Sequence, residues 1–204
     1  MTTHLLKRAS DRPTPQLSLA TDISLRLARL HEVCGPGRRS FAMWLAQKTE
    51  GPIFWVSPKW LPDKLNPRGI AHFADPARFI LLTPTRDEDV LWTLETALRA
   101  GHVPLVIGEL TGYPALTPVR RMHLAAEEGA KINGSAPLGV ILTPDNGGAP
   151  GVETRWHMAP SFHEQATTWH LKRLRARTAS PKSWDIAMGE NGFFPIEGTA
   201  RTTA

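Results

Sequence analysis

Leu30-His31-Glu32-Val33-Cys34-Gly35-Pro36-Gly37-Arg38-Arg39-Ser40-Phe41-Ala42-Met43-Trp44-Leu45-Ala46-Gln47 is the stretch on which the reading of this chain turns. It predicts a short apolar strand, a Gly-Pro-Gly turn and a helix with Phe41, Trp44 and Leu45 on its inward side. Strand, glycine turn and helix form the layout of a phosphate-binding loop, in which backbone N–H groups and a helix N-terminus cradle anionic oxygens. That motif ends in Gly-Lys-Ser/Thr, where the lysine reaches the terminal phosphates and the hydroxyl holds magnesium. Here Arg38-Arg39-Ser40 follows the turn with neither the glycine nor the lysine. Gly35, Gly37, Arg38, Arg39 and Ser40 therefore read as a degenerate phosphate loop, with no cofactor expected.

Outward from that stretch, four short apolar runs have the character of strands buried on both faces: Pro52 to Val56, Arg78 to Leu82, Pro104 to Ile107 and Leu138 to Leu142. Helices lie between them. Thr85 and Glu88 form a predicted capping box, Leu91, Leu94 and Leu98 recur at helical spacing, and Gly101 is the expected stop. Thr117 as N-cap with Pro118 opens a second helix, expected to close at Gly129. Strands alternating with helices imply a parallel sheet covered on both faces. After Leu142 the pattern changes to period two, with Thr154, Trp156 and Met158, then Trp169 and Leu171, then Trp184, Ile186 and Met188, which predicts antiparallel strands at one edge. Residues 1–22 read as a flexible leader, 23–188 as one domain and 189–204 as a loose tail. Ile23, Leu25 and Leu27 fit strand or helix equally and are expected to pack on the sheet.

Composition sets limits on function. A length of 204 residues suits one domain with a sizeable core, and a net charge of +5 permits an anionic partner without requiring one. The one cysteine, Cys34, excludes an intrachain disulfide and a thiolate cluster, and its place in a strand predicts an inert core thiol. The eight histidines match no zinc spacing. With no apolar leader and no apolar run of membrane-spanning length, a cytoplasmic protein is expected. Glu109, just past the Leu105–Gly108 run, stands where a magnesium-ordering carboxylate would sit. Lys172, Arg173, Arg175 and Arg177, with Trp169 and Lys182 nearby, form a basic stretch. As a plain strand it would put the three arginines on one face, and the phase slip between Leu171 and Leu174 predicts a bulge. Basic residues beside aromatics suit DNA phosphates, while charge on an edge strand also guards against aggregation.

Leu30 to Val33 before Gly35-Pro36-Gly37, together with Pro52 to Val56, resemble ImuA, the SOS-induced accessory of bacterial mutagenic translesion synthesis. So do Asp89 to Trp92 with Glu95, Ala97, Leu98 and Arg99, Val106 to Leu110, Arg120 to Glu127, Thr154 to Trp156 and Trp169 to Arg177. The resemblance covers residues 30–188 and implies an α/β fold of RecA type (the P-loop NTPase class), with antiparallel strands at its C-terminal edge. The RecA phosphate loop falls on Gly35 to Phe41, its catalytic glutamate on or near Pro58 and its Walker-B aspartate on Glu109. Its DNA-binding loops fall near Gly112 to Pro118 and Thr143 to Gly151, neither of which holds a Lys or Arg. The resemblance implies a non-catalytic, non-enzymatic DNA-damage protein. It would work with an ImuB-type Y-family-polymerase-like scaffold and an error-prone DNA polymerase alpha subunit. The contact surfaces expected are the basic stretch, which could also meet DNA, and the apolar patch at Phe193 and Phe194. A SulA-like inhibitor binding FtsZ, sharing the Ala125 to Gly129 turn, and an unconventional ATPase are the alternatives.

Overall fold

The fold was taken from a computed structural model, which describes residues 15–163, 166–190 and 192–202. Strands β1 (Gln16–Ala20) and β2 (Ile23–Arg26) form an antiparallel hairpin. Then follow β3 (Arg29–Cys34), α1 (Arg38–Lys48), β4 (Ile53–Val56), the short α2 (Pro67–Ile70), β5 (Phe79–Leu82), α3 (Asp87–Ala100), β6 (Leu105–Glu109), α4 (Leu116–Asn133) and β7 (Leu138–Leu142). The C-terminal part contributes β8 (Thr154–His163), β9 (Ala166–Ala176), β10 (Lys182–Gly189), β11 (Gly192–Pro195) and β12 (Arg201–Thr202). The main sheet has the order β11-β10-β9-β8-β3-β7-β6-β4-β5, with β12 beside β10. From β8 to β5 every pairing is parallel, and from β8 to β11 every pairing is antiparallel. The fold is therefore α/β, with a mostly parallel centre and antiparallel edge strands, as the patterning predicts.

Alternation along the central strands sends side chains into two cores. On one face Val33, Val140, Ile107 and Trp55 meet Phe41, Trp44 and Leu45 of α1, and the β1–β2 hairpin adds Ile23 and Leu25. On the other face Val106, Ile141 and Val56 pack under Leu94 and Leu98 of α3 and Val119 and Met122 of α4. Aromatic rings extend the first core into the antiparallel half. Phe41 stacks on Trp156 at 5.7 Å, and Trp156 lies 5.9 Å from Trp184.

Several expectations need correction. The leader expected over residues 1–22 includes β1, whose Leu19 is buried against the core; residues 1–14 lie outside the described residues. The tail expected from residue 189 includes β11. Phe193 is buried there between Trp44, Trp169 and Phe73, at ring distances of 5.6, 5.0 and 5.3 Å, because the aromatic core runs one strand farther than Met188. Strand β5 is not buried on both faces. Among the described residues it pairs with β4 alone, and Ile80 and Leu81 are exposed.

No Thr85 capping box forms. Helix α3 begins at Asp87 with Arg86 as N-cap, and three carboxylates in its first turn meet the positive helix end instead. Helix α4 starts after Ala115 and runs through Gly129 to a left-handed Gly134. Gly129 is a packing glycine rather than a stop: a Cβ there would lie 2.1 Å from the Leu98 carbonyl oxygen and 3.0 Å from Gly101 Cα. The ends of α3 and α4 cross so closely that no side chain fits between them. Among the described residues no helix is long and apolar enough to cross a membrane.

A buried polar relay links β2, β3 and β8. Trp156 Nε1 donates to Thr154 Oγ1 at 2.7 Å, that hydroxyl donates to His31 Nδ1 at 2.7 Å, and His31 Nε2 donates to the Arg26 carbonyl at 2.9 Å. The Arg26 carbonyl, which can only accept, places the proton of the neutral ring on Nε2. Burial, opposed by the bond to Arg26, lowers the His31 pKa to about 4.

Two measurements test this packing. In an exposed helix, Gly→Ala stabilises by about 1 kcal/mol. At Gly129 the clash reverses the sign, and urea unfolding of Gly129→Ala should show a loss of roughly 1–3 kcal/mol. For His31, the unfolded chain takes up a proton below about pH 6.5 whereas the folded chain resists until about pH 4. Stability is thus fully present above pH 6.5 and is lost as the pH falls towards 4, by about 3 kcal/mol in all. Unfolding curves across that window should show the slope, and His31→Gln should flatten it.

Candidate functional site

The glycine turn sits at the C-terminal end of β3, where α/β sheets place their binding crevices. The amides of Gly35, Gly37 and Arg38 are already in use. Gly35 N–H donates to the Asp145 carbonyl at 2.9 Å, Gly37 N–H to the Met158 carbonyl at 2.7 Å, and Arg38 N–H back to the Gly35 carbonyl at 3.2 Å. Strand β8 presses against the turn. A Cβ on Gly35 would lie 2.6 Å from Met158 O and 2.7 Å from His157 Nε2, and one on Gly37 would lie 2.9 Å from Met158 O. Glycine is needed here because strand β8 occupies the space that a side chain would fill. Gly35 also has φ +84°, a conformation that favours glycine.

Arg38, Arg39 and Ser40 open α1, whose N-cap Gly37 makes no side-chain cap. Arg38 Nη1 folds back to the Gly35 carbonyl at 3.3 Å. Arg39 reaches across the strand ends to Glu109, the last residue of β6. Its Nε meets Oε1 at 2.8 Å and its Nη2 meets Oε2 at 3.0 Å, while Nη2 also reaches the Asp63 carbonyl at 2.6 Å. Glu109 is 2% exposed, so both of its oxygens face this fork rather than water. A bidentate guanidinium–carboxylate pair is strong and directional. It occupies the position in which a carboxylate would order a metal. Pro58 follows β4 and offers only its carbonyl, which accepts from Lys64 Nζ at 2.8 Å.

The structure also shows a carboxylate that sequence reasoning did not single out. Glu32, within β3, is fully buried. Its Oε1 accepts from Thr143 Oγ1 at 2.8 Å, Gly148 N at 2.8 Å and Ala149 N at 3.0 Å, and its Oε2 accepts from Arg155 Nε. Arg155 continues to the Ala149 carbonyl at 2.9 Å. This cluster folds the loop after β7, where RecA-type DNA contact is implied, onto β3 and β8. The signal available in the sequence was an acid in the middle of an otherwise apolar strand, which demands a buried partner.

The basic stretch is divided rather than gathered. The register of β8 against β9 slips, with Trp156 opposite Arg173 and Arg155 opposite Arg175, so Leu174 is the extra residue of a bulge. The predicted bulge is present, and it places Arg173 and Arg175 on opposite faces of the sheet, correcting the expectation of one shared face. The Arg173 guanidinium lies 5.7 Å over Trp156 and 5.4 Å over Trp184, and donates to the carbonyls of Asp22 and Ser180. Lys182 pairs with Asp22 at 2.8 Å. Arg177 approaches the buried Glu153 at 3.5 Å, which Arg26 and Arg29 also flank at 3.7 Å each. Lys172 stands opposite His157 on the strand face away from Arg173, and Arg175 is exposed. Of the two terminal phenylalanines only Phe194 is exposed, and Phe193 belongs to the core.

Cys34 is buried, donates to the Trp156 carbonyl at 3.3 Å, and has its pKa pushed up to about 12, chiefly by burial. Such a thiol stays protonated and unreactive. Among the described residues no group of three or more His, Cys, Asp or Glu is placed to hold a metal ion. No protein-family model matches the chain, and no curated protein matches it significantly.

Removing the charge on Glu32 strands Arg155 and three further donors in the interior. Glu32→Ala should cost about 3–5 kcal/mol of stability by thermal or urea unfolding. Limited proteolysis should then open the 143–151 loop first.

Proposed function

We propose that this chain is a non-hydrolysing accessory of error-prone translesion DNA synthesis in the SOS response, acting by holding other proteins. The observation that carries the silent half of this reading is the fork of Arg39 on Glu109 beside a turn whose amides are already bonded to backbone carbonyls. A nucleotide would have to displace both before magnesium and phosphate could enter. The identity of the partners rests on the resemblance to ImuA: an ImuB-type polymerase-like scaffold and an error-prone DNA polymerase alpha subunit. With Arg173, Lys182 and Arg177 engaged within the fold, the basic stretch offers DNA two side chains, Lys172 and Arg175, which favours protein over nucleic acid as the principal contact.

Affinity purification of the tagged chain from cells exposed to a DNA-damaging agent should recover the two polymerase-type partners. Purified chain should release phosphate from ATP at the background rate, and Glu109→Ala should leave that rate unchanged. Phosphate release that rises above background and disappears in Glu109→Ala would turn the assignment to an unconventional ATPase. Filamentation on overexpression without damage would turn it to an FtsZ-binding inhibitor of the SulA kind.

A further inference from the structure

Two adjoining cavities follow the seam between α3 and the start of α4. One, about 230 Å³, is lined by Leu91 of α3 and by Leu110, Tyr113 and Pro114 of the β6–α4 loop, and the other, about 210 Å³, by Trp92, Pro118 and Arg121. Glu88 and Leu91 line both, so the two cavities form one trough. Its aromatic walls are turned outward: Trp92 is 63% exposed and Tyr113 48%. Trp44, Trp55, Trp156, Trp169 and Trp184 are all buried, and Trp60, which does not line the trough, is the other exposed indole at 53%. Trp92 contributes no core packing.

Acidic side chains outnumber basic ones along the trough, with Asp87, Glu88 and Glu95 set against Arg121. Asp87 and Glu88 line it as exposed carboxylates, and among the described residues neither belongs to a salt bridge, whereas Asp89 of the same turn pairs with Arg86. Arg121, on the opposite wall, pairs at 2.8 Å with Glu95, a carboxylate it shares with Arg99. Asp145, outside the trough's lining, accepts from the hydroxyl of its Tyr113 wall at 3.3 Å. Acids in a first turn serve the helix end, but that role explains neither the exposed indole nor the apolar trough beside it. On a chain of net charge +5, this is a local negative, aromatic-walled groove. Such a surface repels phosphates and attracts guanidinium and ammonium groups, which also bind aromatic faces.

We propose that the α3–α4 trough is a docking site for a segment of a partner protein in which Arg or Lys alternates with apolar residues. The apolar side chains fill the space over Leu91 and Leu110, and the cations pair with Asp87 and Glu88 and lie on Trp92. This rests on the reading of the chain as a protein-holding accessory, and it places the principal contact away from the basic strand and the Phe194 tail.

Selection of a random peptide library on the immobilised full chain tests the chemistry directly. Enriched peptides should combine basic and apolar residues. For a selected peptide, binding measured by fluorescence anisotropy should weaken about tenfold or more in Trp92→Ala, as for a central interface tryptophan. Glu88→Lys should weaken it as well, and the same peptide with its basic residues changed to Glu should bind Glu88→Lys better than the wild type. Both positions are on the surface, and thermal melts that match the wild type confirm intact folding. The proposal is overturned by no enrichment, by enrichment of acidic or uncharged sequences, or by equal binding to both variants. It is likewise overturned if the wild type self-associates in sedimentation and Trp92→Ala does not, since the face would then join two copies. If wild type and Trp92→Ala recover the polymerases equally from damaged cells, the trough fails and the accessory function stands. If the wild type recovers no polymerase while the peptide results hold, the accessory function fails and the trough stands.

Discussion

A carboxylate without access to water, Glu32, is the constraint on which the rest of this structure depends. Burying an anion within a sheet is tolerable only when its lone pairs are filled, and here they are filled by a hydroxyl, two amides and a guanidinium. Those donors come from the loop after β7 and from β8. Satisfying Glu32 therefore fixes where the loop folds and lays β8 along β3. That parallel pairing joins the parallel half of the sheet to the antiparallel half, so one buried charge governs the transition between them.

The position of β8 has a chemical consequence one residue beyond β3. Held beside that strand, β8 brings the Met158 carbonyl against the glycine turn, and the amide of Gly37 bonds to it rather than to a ligand. Arg39 reaches the buried Glu109 and bridges the ends of β3 and β6. The α/β sheet thus closes one end of its own crevice with bonds made inside the chain. The amides of Gly35 and Gly37 and both oxygens of Glu109 are paired within the fold, while the buried Arg38 Nε has no partner among the described residues. The α3–α4 seam carries exposed aromatic rings and exposed carboxylates.

Charge in the sequence proved a poor guide to exposure for a physical reason visible in the basic stretch. Arg173 looks like a surface residue in a one-dimensional reading, yet its guanidinium covers Trp156 and Trp184 and anchors the β1–β2 turn through Asp22. A planar cation with a long apolar stem can complete an aromatic core as readily as it can face water. The bulge at Leu174 was legible from the broken phase of Leu171 and Leu174, but its effect on which face each arginine occupies depends on the partner strand. Phe193 shows the reverse error. An apolar cluster near a terminus reads as a sticky patch until a neighbouring strand and three aromatic rings are found to cover it.

From sequence alone, the period-two and continuous apolar runs specified the strands, the helical spacing of Leu91, Leu94 and Leu98 specified α3, and the turn at Gly35 announced a phosphate-loop shape without its lysine. These are local properties, set by side-chain periodicity and backbone sterics, and they survive any arrangement of the elements. Which strands became edges, why Gly129 lies inside a helix, what fills the lone pairs of Glu32 and Glu109, and where a surface charge meets an exposed ring were decided only by the tertiary structure. Each of those depends on a group distant in the chain, and a buried charge or a missing Cβ acquires its meaning from the partner that folding brings to it.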